Sequence, residues 1–227
     1  EGFHFVKEAS TLVITFGTAI GYHYLETGQI AANCHRLHSN SFEKRRSEIA
    51  EIVNEWKNVL THLLLVNPEI KVIFTVSPVR HLRDGFEENQ KSKSVLLLAI
   101  DAIQESFPGS CFYFPSYEMV IDDLRDYRFF KKDMLHLNEI GVDYVWEKFC
   151  DFYFSNETRA IQVEVQALNA LLHHRALNDT LIDNKKSLAF ASMKEAIDKV
   201  EELKNQGLYL SPNKTEGVKS FDWKTIV

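Results

Sequence analysis

Three short apolar runs constrain this chain most. Thr11-Leu12-Val13-Ile14-Thr15-Phe16, Lys71-Val72-Ile73-Phe74-Thr75-Val76 and Cys111-Phe112-Tyr113-Phe114 are rich in β-branched and aromatic residues. Each is stopped by turn formers: Gly17, Ser77-Pro78 and Pro115-Ser116. They read as buried strands. Between them lie stretches with helical periodicity. Ile49, Ile52, Val53, Trp56, Val59, Leu60 and Leu63 recur at helical spacing from Ser47 to Val66, where Asn67-Pro68 ends the run. Val95, Leu98, Ala99, Ala102 and Ile103 do the same from about Asn89 to Phe107, ahead of Pro108-Gly109. Strands joined by crossover helices run parallel. The predicted fold class is α/β, a three-layer α/β/α arrangement with a parallel sheet, followed by a C-terminal helical appendage.

Residues 1–155 form the predicted core. Three strands are few for a sheet covered on both faces, and the chain opens at Glu1 without a methionine. A first strand upstream of Glu1, missing here, is therefore expected. Its loss would bare a hydrophobic edge and favour aggregation or dimerisation of the isolated chain. The oligomeric state of the natural protein is not legible. Residues 156–206 form the predicted appendage, with helices from Arg159 to about Leu177 and from Lys186 to about Leu203, and residues 207–227 a tail. The segment from Thr18 to Asn33 is a long excursion, with a hairpin tip at Leu25–Ile30.

Composition excludes some functions. A net charge of −6 argues against nucleic-acid binding, which calls for a basic stripe. No apolar run approaches the roughly 20 residues of a membrane span. Cys34, Cys111 and Cys150 are odd in number and widely spaced, which suits a reducing, cytoplasmic setting better than a disulfide framework. Asn156-Glu157-Thr158 fits a glycosylation pattern, but nothing else points to secretion.

In open parallel sheets ligands lie beyond the carboxyl ends of the strands. That edge gathers Gly17 and Thr18 after the first strand, Ser77, Arg80 and His81 after the second, and Ser116, Tyr117 and Glu118 after the third. Arg80 and His81 line the rim, either as substrate contacts or in structural ion pairs with Asp84 or Glu118. The stretch Arg125–Gly141 adds charge, aromatics and a histidine. Asp133 stands three residues before His136, within reach of a hydrogen bond that would fix the imidazole tautomer and raise its basicity, as a general base for a hydroxyl nucleophile requires. Such pairs also serve as plain surface ion pairs. Asn138 is placed to cap the next helix, with Leu137 and Val142 as its hydrophobic staple.

No serine here stands out as nucleophile. Ser110 enters its strand, at the edge opposite His136. Ser77 and Ser116 lie at the correct edge but beside prolines, outside a nucleophile-elbow context. Cys34 reads as a small buried thiol. Cys34, His35 and His38 have ligand-like chemistry, but no second cluster accompanies them, so neither a metal nor a cofactor is expected.

The string Asp133-x-x-His136-x-Asn138-x-x-Gly141 resembles the last block of the SGNH hydrolases, serine esterases and lipases in which an Asp-x-x-His pair completes the triad. Leu137 replaces the proline common there. Over Leu12 to about Phe154 the chain closely resembles the GSCFA-domain family, an SGNH-like group found largely in bacteria. The resemblance rests on Leu12–Ala19, Ala32-Asn33-Cys34-His35, Ile73–His81 with Asp84-Gly85, Tyr113–Glu118, Asp123–Phe129 and Asp133–His136. Asn169–Arg175 is similar to the family's helical tail. The resemblance implies an SGNH/flavodoxin-like fold and hydrolysis or transfer of an acyl ester, small or carbohydrate-linked, without cofactor. Asp133 and His136 would be catalytic. Gly17, Thr18, Asn33, Arg80 and His81 would bind substrate or the oxyanion. The family's namesake Gly-Ser-Cys-Phe-Ala motif, whose serine is the implied nucleophile, is absent. Gly109-Ser110-Cys111-Phe112 repeats its letters at the wrong place and continues with Tyr113. The nucleophile is therefore expected upstream of Glu1. The SGNH oxyanion asparagine is also missing, since Ala19 follows Gly17-Thr18. That departure favours the alternative, a non-catalytic carbohydrate- or anion-binding module whose rim includes Arg125 and Arg128.

Overall fold

The computed structural model describes residues 2–31 and 37–173. Helix α1 (Gly2–Glu8) leads into strand β1 (Thr11–Phe16). A small antiparallel unit follows, made of β2 (Ile20–Tyr24), β3 (Ile30–Ala31) and β4 (Phe42–Arg46). Helix α2 (Ile49–Val66), β5 (Lys71–Val76), α3 (Phe86–Ser106) and β6 (Cys111–Phe114) complete the alternation. A short α4 (Ser116–Glu118) runs on as a π-helical turn over Met119–Asp123. Helix α5 (Glu139–Tyr153) comes next, then α6 (Asn156–His173).

The fold is mixed α/β. Strands β1, β5 and β6 form a parallel sheet in the order β1-β5-β6, with Thr11 opposite Lys71 and Val72 opposite Cys111. Alternation along each strand divides the side chains between two faces. Leu12, Ile14 and Phe16 of β1 and Val72, Phe74 and Val76 of β5 pack with Val53, Trp56 and Leu60 of α2 and with Leu96, Ala99, Ile100 and Ile103 of α3. Phe16, Trp56 and Phe74 meet as an aromatic triangle with centroids 5.2–5.4 Å apart. On the other face, Phe114 of β6 meets Phe149 of α5 edge-on at 5.1 Å. Helices thus flank both faces and make three layers. Among the described residues no strand pairs the free edge of β1.

Two residues expected to face inward do not. Val59 and Leu98 are exposed. Leu96 and Ile100 occupy the inner face of α3, because its buried stripe runs Asn89, Ser92, Lys93, Leu96, Ala99, Ile100 and Ile103. The hairpin tip between β2 and β3 is present, but β4 has no apolar signature and gains its place by pairing with β2.

The described residues fall into two compact units that meet between Phe149 and Cys150. In the second, Ser155 Oγ accepts the Thr158 N–H at 3.2 Å at the start of α6. Arg159 pairs with Asp151. The helix expected over 186–203 and the tail from 207 lie outside the described residues.

Candidate active site

Asp133 folds a tight turn around its own carboxylate. Oδ1 accepts the backbone N–H of Leu135 at 2.9 Å and of His136 at 3.0 Å, and Oδ2 meets His136 Nδ1 at 2.7 Å. The His136 and Leu135 backbone N–H groups, with the imidazole, hold the Asp133 carboxyl well below the usual carboxylate range. An ionised carboxylate only accepts, so Nδ1 carries the proton and a neutral ring presents Nε2 as its acceptor. Both side chains are half exposed.

The turn is built into a closed loop. Lys131 N–H donates to His136 O at 2.7 Å, and Asn138 N–H donates to Phe129 O at 2.9 Å. Asn138 caps α5 as expected: its Oδ1 accepts the Gly141 N–H at 3.1 Å, while its Nδ2 donates to Arg128 O at 2.6 Å. Gly141 is where α5 touches the loop. A Cβ there would lie 2.9 Å from Phe129 O and 3.0 Å from Leu137 Cδ2. Met134, at the apex, has φ +59°, a left-handed conformation that is costly for a side-chain-bearing residue. Arg80 reaches this apex. Its Nη2 donates to Met134 O at 3.0 Å, and its guanidinium lies 5.7 Å from the Phe130 ring centroid.

The loops after β1 and β5 are fastened from below by one turn of α3. Asn89 Oδ1 accepts the His81 N–H at 2.9 Å. Ser92 Oγ accepts the Ala19 N–H at 2.7 Å and lies 3.0 Å from Thr18 Oγ1. Lys93 Nζ donates to the carbonyls of Gly17 and Ser77, each at 2.6 Å. The His81 ring comes near the end of β1, since a Cβ on Gly17 would sit 3.9 Å from His81 Nε2. Lys93 is fully buried, and burial pushes its ammonium down to about 8. Sequence reading missed this trio. Its signal was there: polar residues at i, i+3 and i+4, in register with Leu96 and Ile100, lie on the inward face of the helix.

Above these loops lies a groove of about 440 Å³, lined by Thr18, Ile20, Tyr22, Lys44, Arg80–Asp84 and Leu135. Thr18, Arg80 and His81 therefore gather along one rim, with Gly17 behind it next to the His81 ring, and Leu135 brings the Asp133–His136 turn to it. The ion pairs entertained for Arg80 and His81 do not form. Asp84 pairs with Lys44, and Glu118 accepts the Tyr113 hydroxyl at 2.8 and 3.0 Å. Asn33, Cys34 and His35 lie outside the described residues, while His38 is exposed. Ser116 is buried, bonded to Thr75 Oγ1 and donating to Val76 O at 3.0 Å. Ser77 Oγ accepts the Val79 N–H at 3.3 Å. Ser110 sits at the other edge, its carbonyl accepting the Val72 N–H at 2.8 Å.

No curated protein matches the chain. The GSCFA family model matches residues 1–149, which hold the parallel sheet, the groove and the Asp133–His136 turn. The chain belongs to the GSCFA family.

Proposed function

We propose that the protein is an SGNH-like serine hydrolase or acyltransferase acting on an acyl ester, small or carbohydrate-linked. His136 is the general base and Asp133 orients it. A serine N-terminal to Glu1 is the nucleophile, with Gly17, Thr18 and Asn33 near the oxyanion and Arg80 and His81 on the substrate side. One observation supports this reading: the 2.7 Å contact between Asp133 and His136 Nδ1, which leaves Nε2 as the ring's acceptor on a turn whose Leu135 lines the groove. In the reaction the serine hydroxyl transfers its proton to Nε2 as its oxygen attacks the ester carbonyl. The imidazolium then protonates the leaving alkoxide, and water or an acceptor hydroxyl releases the acyl group by the reverse sequence. No step calls for a cofactor. We place this chemistry in the cytoplasm, in keeping with the free thiols of Cys111 and Cys150. No described helix is long and apolar enough to cross a membrane.

A second reading, a binding module for a carbohydrate or an anion, draws on the groove. Lys44, Arg80, His81 and Arg83 line it against the single acid Asp84. Fluorophosphonate labelling with peptide mapping, on this chain and on one extended upstream, separates the two. Label on an upstream serine of the longer chain only is the hydrolase outcome. No label in either chain favours the binding module.

A further inference from the structure

Three consecutive backbone N–H groups follow the end of β1 by one residue, and they differ in their partners. Ala19 N–H is bound by Ser92 Oγ, and Ile20 N–H by Thr18 Oγ1 at 3.1 Å. The Thr18 N–H has no acceptor among the described residues, although Thr18 lines the groove. The carbonyl of the same peptide, Gly17 O, points inward to Lys93 Nζ at 2.6 Å. The described chain has no cis peptide, and in a trans peptide the N–H points opposite to the C=O. With Gly17 O held below, the Thr18 N–H is turned to the rim.

Lys93 is an unusual choice for packing alone. It is fully buried, it has no carboxylate partner among the described residues, and its ammonium donates to the carbonyls that close β1 and β5. A methionine would fill the same space without the cost of a buried cation. The ammonium also polarises the Gly17–Thr18 peptide and so strengthens its N–H as a donor.

We propose that Lys93 is a positioning residue, which fixes the Gly17–Thr18 peptide so that the Thr18 N–H serves as an oxyanion donor in place of the missing asparagine side chain. The inference rests on the ester-hydrolase reading. Loss of one oxyanion donor lowers kcat by about 10²–10³-fold.

The test uses the intact protein with p-nitrophenyl acetate, comparing wild type, Lys93→Met and Lys93→Arg. Expected is a fall in kcat of about 100-fold for Lys93→Met with KM changed less than two-fold, and partial recovery in Lys93→Arg. A folded Lys93→Met that retains wild-type kcat overturns the inference alone. No turnover by the wild type overturns the hydrolase reading and the oxyanion role with it. Should Lys93→Met not fold, NMR titration of the wild type decides. The Thr18 amide should move together with the Gly17 and Ser77 carbonyl resonances as Lys93 deprotonates. A Thr18 amide that stays fixed while both carbonyls shift makes Lys93 a structural clamp only.

Discussion

The guanidinium of Arg80 donates to the carbonyl oxygen of Met134 at 3.0 Å across 54 positions of sequence. The loop after β5 thereby holds the apex of the turn that presents His136. Removing it should loosen the imidazole rather than unfold the protein. Arg80→Ala is expected to cost about 1 kcal/mol in urea unfolding, the scale of one hydrogen bond, and to broaden the His136 ring resonances. Met134→Gly, which relieves the positive φ, should recover part of that stability in the Arg80→Ala background. Sharp, unshifted His136 signals in Arg80→Ala would remove this link.

Gly141→Ala tests the contact between α5 and the loop. Its methyl would press on Phe129 O and Leu137, so a loss of about 1–3 kcal/mol is expected, the usual range for overpacking. Gly17→Ala is the control, because its Cβ would meet only His81 Nε2 at 3.9 Å, an ordinary contact. Equal melting temperatures for the two variants would contradict the geometry.

His136→Ala should abolish turnover in the intact protein with little change in melting temperature, since the pair is half exposed. Asp133→Asn should cost more stability than His136→Ala, because the carboxylate also gathers the Leu135 and His136 N–H groups. The pH sign follows. Asp133 has a depressed folded value, so its contribution is whole above the ordinary aspartate range and fades as the solution becomes more acidic. Thermal melts of wild type and Asp133→Asn should therefore differ at pH 7 and draw together on acidification.

Lys93 gives the opposite end of the pH scale. Burial lowers its value from 10.5 to about 8, so between those limits the unfolded chain holds more protons than the folded one. Stability then rises with pH across that window relative to Lys93→Met. Parallel melting curves for the two proteins from pH 7.5 to 10.5 would exclude a Lys93 whose ammonium is destabilised by burial.

Glu51 offers a calibration away from the site. Arg45 engages its carboxylate at 2.7 and 2.8 Å and, with the Glu48 N–H, lowers it to about 2. Its stabilisation is complete above the ordinary glutamate value near 4.5 and disappears as pH falls towards 2. Wild-type and Glu51→Gln melting temperatures should differ at pH 6 and converge near pH 2.

Strands β1, β5 and β6 were legible to the residue because each is a short run rich in β-branched and aromatic residues closed by a turn former. The Asp133–His136 pair was legible because it is local, three residues apart. Strand β4 was not, since Phe42-Glu43-Lys44-Arg45-Arg46 is mostly charged and owes its conformation to β2 and to partners at Glu51, Asp84 and Glu88. The Arg80–Met134 contact was hidden by its span. Asn89, Ser92 and Lys93 were missed for a different reason: a polar start to an amphipathic helix reads as solvent-facing, although tertiary contacts bury it.

Because one turn of α3 fastens Gly17, Ala19, Ser77 and His81, the floor of the groove does not depend on the length of the loops above it. Residues could be inserted at the tip between β2 and β3, or around Arg83, without asking those four positions to move. On the hydrolase reading, substrate preference could therefore drift through loop exchange while the anchoring turn stays as it is, which marks the tips, rather than α3, as the places to diversify in a library.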